Sequence, residues 1–199
     1  MSAEAPTSRL YLTTPPELVS GGVAVGAFAD LLAKAIAATD IACLRITGSD
    51  AARMATIAEP LLPLAQDLGV AVLFDDADLA QKLRGDGVHL TDPALYARAR
   101  RAIGTDGIVG VACPLERHTA MEVGEAGADY IQFQPSSAPE DIELIAWWTE
   151  MMTVPSVVAG RFTPESAKAF IGAGADFLAP APTIWAETDP VAAIAALLD

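Results

Sequence analysis

A small set of cations, acids, amides and hydroxyls stands at the ends of short apolar runs in this chain. Arg45 and Thr47 end the run that starts at Ile41, and Asp75-Asp76 follow Val70-Ala-Val-Leu-Phe74. Asp92 comes just after Gly87-Val88-His89-Leu90, and Gln132 lies within Tyr130-Ile-Gln-Phe133. Gly160-Arg161 closes Val154-Pro-Ser-Val-Val-Ala159, and Thr183 follows Pro180-Ala181-Pro182. A guanidinium grips phosphate with two parallel hydrogen bonds, and carboxylates together with phosphate oxygens suit Mg²⁺. The combination fits a small substrate carrying a phosphate or diphosphate. No Ser-His-Asp or Cys-His arrangement accompanies it, and the two histidines, His89 and His118, lack the spacing of a zinc site.

Each of these residues also has a plainer reading. An arginine at the end of an apolar strand is seldom buried without an anionic partner, and for Arg45 that partner is either a ligand or Asp75 or Asp76 on the neighbouring strand. Asp75 and Asp76 precede a helix, where acids commonly cap, and Pro93 behind Asp92 favours capping there. Arg161 suits an anion or open solvent equally, and His89 reads as a core histidine.

Positioning such a set requires a scaffold that brings many strand ends to one face. Apolar runs at 10–13, 41–46, 70–74, 87–90, 108–112, 130–133, 156–159 and 176–179 alternate with segments of helical period at 23–38, 50–68, 77–84, 93–103, 115–126, 139–151, 164–173 and 189–198. Eight such units predict an α/β, single-domain (β/α)8 TIM barrel, with an open doubly wound sheet second because the first strand lacks a Gly-x-Gly-x-x-Gly turn. A repeat supports the count. Gly85-Asp86-Gly87, Ala128-Asp129-Tyr130 and Ala175-Asp176-Phe177 are versions of one strand entry, their acids 43 and 47 residues apart, two units per step. These acids fall at the N-terminal ends of strands, the face of a barrel that serves stability, and are expected to cap or turn the chain.

The 199 residues are 52% hydrophobic, enough for a core, and leave room for little beyond the barrel. Residues 1–8 read as a disordered lead and 9–199 as the barrel domain. No run approaches the ~18 apolar residues of a membrane span, and the first residues lack the basic and apolar regions of a secretory signal. Cys43 and Cys113 sit in apolar runs as ordinary buried thiols, consistent with the cytoplasm. A net charge of −14 repels nucleic acid and anionic membranes, which excludes both as expected partners and requires local cations, helix ends or a divalent metal at any anion site. A homodimer is compatible with all of this.

The order of the segments resembles the thiamine-phosphate synthase family. Leu10-Tyr-Leu-Thr13, Leu44-Arg45, Phe74-Asp75-Asp76, Gly87-Val88-His89-Leu90, Gly127-Ala-Asp-Tyr-Ile131, Val154-Pro-Ser-Val-Val-Ala-Gly160 and Gly174-Ala-Asp176 carry the likeness across most of the chain. The resemblance implies a transferase of thiamine biosynthesis that joins hydroxymethylpyrimidine diphosphate to thiazole phosphate and releases diphosphate with Mg²⁺. By that likeness Arg45 and Thr47 are catalytic, Arg45, Gln132, Gly160, Arg161 and Thr183 bind substrate phosphate, and Asp75, Asp76 and Asp92 hold the metal. The chain departs from the family at several points. Its Gln-Leu-Arg-x-Lys pattern reads Cys43-Leu44-Arg45-Ile46-Thr47, its Asn-Asp pair reads Asp75-Asp76, and its Thr/Lys loop reads Pro135-Ser-Ser-Ala-Pro139. Its Gly-Gly-Ile turn reads Gly160-Arg161-Phe162, and Pro180 and Pro182 remove N–H groups from the last phosphate loop. These losses imply the alternative of a catalytically degenerate barrel that binds a small phosphorylated ligand or regulates a partner.

Overall fold

The computed structural model describes residues 8–136 and 138–199. Among them eight parallel strands pair in chain order and close on themselves: β1 (Arg9–Thr13), β2 (Ile41–Ile46), β3 (Ala71–Phe74), β4 (Gly87–Leu90), β5 (Ile108–Ala112), β6 (Tyr130–Phe133), β7 (Ser156–Gly160) and β8 (Phe177–Pro180). β8 returns to β1 through Phe177↔Arg9 and Leu178↔Leu10, which excludes the open sheet. The helices are α1 (Pro16–Ser20), α2 (Val25–Ala38), α3 (Ala51–Asp67), α4 (Ala77–Leu83), α5 (Tyr96–Ile103), α6 (Arg117–Glu125), α7 (Pro139–Met151), α8 (Pro164–Gly172) and α9 (Pro190–Ala195).

Every strand lies within one residue of its expected place, while the helix ends differ more. Helix α1 was not expected; Pro16 starts it and Gly21, at φ 82°, ends it in the left-handed region that glycine enters freely. The stretch Pro182–Ala186, expected as loop, forms a 3₁₀ helix begun by Pro182, and the turn Pro93–Leu95 ahead of α5 is 3₁₀ as well. Ser8, read as part of the lead, is buried, and its hydroxyl donates to the Ala175 carbonyl at 2.5 Å. The rest of that lead lies outside the described residues. No helix among the described residues is long and apolar enough to cross a membrane.

Strand alternation sorts the core into two bodies. Outward side chains such as Leu44, Phe74, Val88, Val111, Ile131 and Leu178 pack under the helices, and Tyr11, Cys43, Leu73, Tyr130, Val157 and Ala179 fill the lumen. Gly110 makes room for this filling, since a Cβ there would stand 1.8 Å from the Tyr130 ring. Buried parallel strands need apolar residues on both faces, which explains their continuous apolar runs.

The repeated acids tie strands in pairs at the N-terminal end. Asp86, ahead of β4, accepts from the Val72 N–H on β3 at 2.7 Å; Asp129 accepts from Val109 on β5 at 2.7 Å; Asp176 accepts from Ser156 on β7 at 2.8 Å. Each acid thus satisfies a backbone donor of the preceding strand rather than capping its own turn. At the opposite seam Trp185 Nε1 donates to the Thr13 carbonyl at 2.8 Å, and Phe28 stands edge-on to its ring at 4.8 Å.

Candidate functional site

The C-terminal ends of β1, β2 and β3 assemble the best-defined polar group. Buried Thr14 accepts the Thr47 N–H at 3.2 Å and donates its own N–H to the Arg45 carbonyl at 2.9 Å, which pins the tops of β1 and β2 together. Strand register then sets Arg45 beside Leu73 and Ile46 beside Phe74, so the next step brings Thr47 beside Asp75. Arg45 Nε donates to Asp75 Oδ1 at 2.6 Å, and Thr47 Oγ1 donates to Asp75 Oδ2 at 2.6 Å. The Arg45 side chain is 15% exposed and that of Asp75 27%. Burial works against the Arg45 charge, but the Asp75 carboxylate and the Tyr11 hydroxyl beneath it outweigh burial and raise its pKa further. Asp75 is therefore the anionic partner that a buried arginine requires, and among the described residues only Nε of Arg45 is engaged.

The expected metal acids are partly gathered. Asp75 and Asp76 line one cleft of about 180 Å³ between the loops after β3 and β4, which also meets Asp78, Leu90 and Arg98. Asp76 caps α4 with one oxygen, accepting from Leu79 N–H at 2.7 Å, and the other has no hydrogen bond among the described residues. Asp92 caps the 3₁₀ turn by accepting from Ala94 N–H at 2.9 Å, and it stays exposed on the next loop. Among the described residues no three acids, histidines or cysteines converge as a ready metal cluster. A Mg²⁺ ion commonly binds through one or two carboxylates and completes its shell with substrate phosphates and water, so the donor pair Asp75 and Asp76 fits a site shared with a diphosphate. The exposed Arg98 is a cation that the sequence reading missed; its place on α5 carries no motif.

The remaining candidates form a second group on the other side of the mouth. Arg161 and Thr183 line a cleft of about 220 Å³ with Phe162, Ala181 and Glu187. Both are exposed, and Arg161 makes no ion pair among the described residues. The Gly160 carbonyl accepts the Ala181 N–H at 2.7 Å, so that amide is spent within the chain and Pro180 and Pro182 supply none. The Arg161 guanidinium and the Thr183 hydroxyl remain for an anion. Gln132 is half-buried on β6, beside Ala112 and Val157. In the loop after β6, Ser136 donates its N–H and hydroxyl to Asp141 at 2.7 and 2.6 Å, holding that carboxyl below the usual range, and Ser137 lies outside the described residues.

The family model described as thiamine monophosphate synthase matches residues 10–184. A thiamine-phosphate synthase of Rhodospirillum centenum is 42% identical over 94% of each chain. One of Hyphomonas neptunium is 37% identical over 96% of this chain and 92% of its own. Among solved structures, a thiamine phosphate pyrophosphorylase from Pyrococcus furiosus superposes with a TM-score of 0.77 at 22% identity, covering 96% of this chain and 94% of that one, a likeness of fold. With a matched model spanning most of the barrel and relatives aligned nearly end to end, the chain belongs to the thiamine monophosphate synthase family.

Proposed function

We propose that this chain catalyses the transfer reaction for which its relatives are named, joining hydroxymethylpyrimidine diphosphate to thiazole phosphate in thiamine biosynthesis. The observation that carries the reading is the 42% identity to a named synthase over 94% of both chains. The relatives reported above are named for that activity, and the non-catalytic alternative draws no support from them. In the reaction the bond from the pyrimidine methylene carbon to a diphosphate oxygen breaks, and the same carbon bonds to the thiazole nitrogen. Negative charge grows on the departing diphosphate, so the main task is to meet it with fixed positive charge.

Arg45 is the cation for that task, since the Asp75 carboxylate outweighs its burial and keeps it charged and aimed. Thr47 orients Asp75 by holding its second oxygen. Asp75 and Asp76 would hold Mg²⁺ with diphosphate oxygens, and the ion would neutralise leaving-group charge. Asp92 belongs to this assignment only by the family likeness, because its carboxylate serves the 3₁₀ cap. Arg161 and Thr183, with Gly160 and Gln132, are assigned to the thiazole phosphate. Arg161 takes the place of lost backbone donors by a bidentate contact. The free thiols of Cys43 and Cys113 support a cytoplasmic setting, and a homodimer is part of the same proposal, read by sedimentation.

The test is a direct assay of the purified chain with both precursors and Mg²⁺, following thiamine phosphate and released diphosphate. Turnover is expected. No turnover, with no thermal shift from either precursor, would overturn the reading.

A further inference from the structure

The seam between β8 and β1 is short of backbone hydrogen bonds at its upper end. Among the described residues the two strands pair at Arg9↔Phe177 and Leu10↔Leu178 and no higher, whereas β1 pairs with β2 as far as Thr13↔Arg45. The Arg9 N–H donates to the Asp176 carbonyl at 3.0 Å, so alternate residues of β1, namely Arg9, Tyr11 and Thr13, turn their backbone groups toward β8. Continued at the same register, the ladder would offer the Tyr11 and Thr13 carbonyls the backbone nitrogens of Pro180 and Pro182. A proline nitrogen carries no hydrogen, so neither bond can form.

The Thr13 carbonyl is met instead by a side chain, the indole of Trp185, whose Nε1 donates to it at 2.8 Å. Trp185 is buried, with Phe28 edge-on behind its ring. Among the described residues this is the one hydrogen bond that ties the turn Pro182–Ala186 to another element. On the β7 side the chain is held one residue ahead of the turn, where the Ala181 N–H meets the Gly160 carbonyl at 2.7 Å. Within the turn the Ile184 N–H closes on the Ala181 carbonyl at 3.0 Å. Thr183 stands midway between Ala181 and Trp185, on the cleft that it shares with Arg161.

We propose that Trp185 is a positioning residue for the anion site of Arg161 and Thr183, its indole N–H standing in for the one that Pro182 lacks. The proposal rests on the functional reading above, in which that site takes the thiazole phosphate. Pro182 fixes one backbone angle of the turn, the Gly160 carbonyl fixes its start, and the indole fixes its end against β1. Thr183 is thereby preset at the cleft, and little ordering is left to be done when phosphate binds. Arg161 is exposed and makes no ion pair among the described residues, so the turn supplies the fixed half of the grip. Trp185 touches no reacting atom, and losing its bond is felt as weaker binding of one substrate.

The experiment is steady-state kinetics of the full chain in Mg²⁺ buffer, varying each precursor in turn. The variants are Trp185→Phe, Thr183→Ala and the double variant, each checked by thermal unfolding. Trp185→Phe keeps a ring for Phe28 to meet and removes the N–H. It is expected to raise KM for thiazole phosphate about fivefold, the scale of one net hydrogen bond, with kcat and KM for hydroxymethylpyrimidine diphosphate within about twofold of wild type. Thr183→Ala should raise the same KM, and in that background Trp185→Phe should add less than about twofold, because the group it positions is gone. A lower unfolding midpoint with both KM values unchanged would make the indole a purely structural tie and overturn the proposal. An equal rise in both KM values does the same, as does an undiminished effect of Trp185→Phe in the Thr183→Ala background. Should Trp185→Phe fail to fold, Phe28→Leu slackens the indole from behind while keeping its N–H; a rise confined to the thiazole phosphate KM is again expected, and its absence overturns the proposal. Wild-type turnover without the one-sided rise sinks the Trp185 role alone, whereas wild-type protein that does not turn over sinks the functional reading with it.

Discussion

At the N-terminal end of the barrel, Asp86, Asp129 and Asp176 give an oxygen each to a backbone N–H of the preceding strand. At the C-terminal end, Asp75 faces a guanidinium and a hydroxyl, and Asp76 has an oxygen without a partner among the described residues. Each of the first group meets a donor that cannot move, because backbone amides are fixed by the sheet, and side chains such as Arg100 on Asp129 and Gln66 on Asp86 add to that hold. Asp75 meets side chains alone, which can be traded for a ligand. Aspartates at both ends are hydrogen-bonded, and Asp75 differs from the staples in having no backbone amide among its partners.

Arg45→Ala should show the largest effect. Losing this part-buried cation at the mouth is expected to lower turnover by at least about a hundredfold, the scale for removing one preorganised group from a developing anion. A steady-state assay beside thermal unfolding checks it, and a large fall in the unfolding midpoint with little change in turnover would put Arg45 with the staples. Asp129→Ala should do the reverse. It is expected to cost about 1–3 kcal/mol of stability by stranding the Val109 N–H, roughly 2–4 °C of unfolding midpoint per kcal/mol, with KM unchanged. A change in KM without a change in stability would erase the contrast between the ends.

The smallest effect concerns pH. His89 stays neutral in the fold down to about pH 3, while in the unfolded chain it takes a proton near its ordinary 6.5. Between these values the unfolded state binds the extra proton, so the contribution of His89 is complete above pH 6.5 and is lost as pH falls toward 3. About 1 kcal/mol should disappear between pH 6.5 and 5.5. Urea titrations across that range should show a flatter profile for His89→Phe than for wild type, and identical slopes would mean that the imidazole takes its proton in the fold as readily as in the unfolded chain.

Much of the frame was legible because it rests on local pattern. Apolar runs located each strand, and the spacing of Asp86, Asp129 and Asp176 marked them as structural. Their partners were not legible, because Val72, Val109 and Ser156 are identified only once register is known. The ion pair of Arg45 with Asp75 could be named as one option, since an arginine in a strand needs an anion, but the sharing of Asp75 with Thr47 depends on a cross-strand step. Helix α1 and the 3₁₀ segment Pro182–Ala186 escaped because short, proline-started turns carry little periodicity. His89 was read as a core histidine, which its burial supports.

The bond from Trp185 to Thr13 spans 172 residues. Bringing together groups so far apart in the chain costs loop-closure entropy that neighbouring strand pairs do not meet, so a ring of parallel strands folds slowly and its seam is the natural last event. Trp185 sits on that seam against Phe28, whereas Trp148 is enclosed by α7 and β6 through Phe133. In a refolding experiment the two indoles should therefore keep different clocks, with Trp148 reporting the docking of a helix and Trp185 the moment the circle shuts.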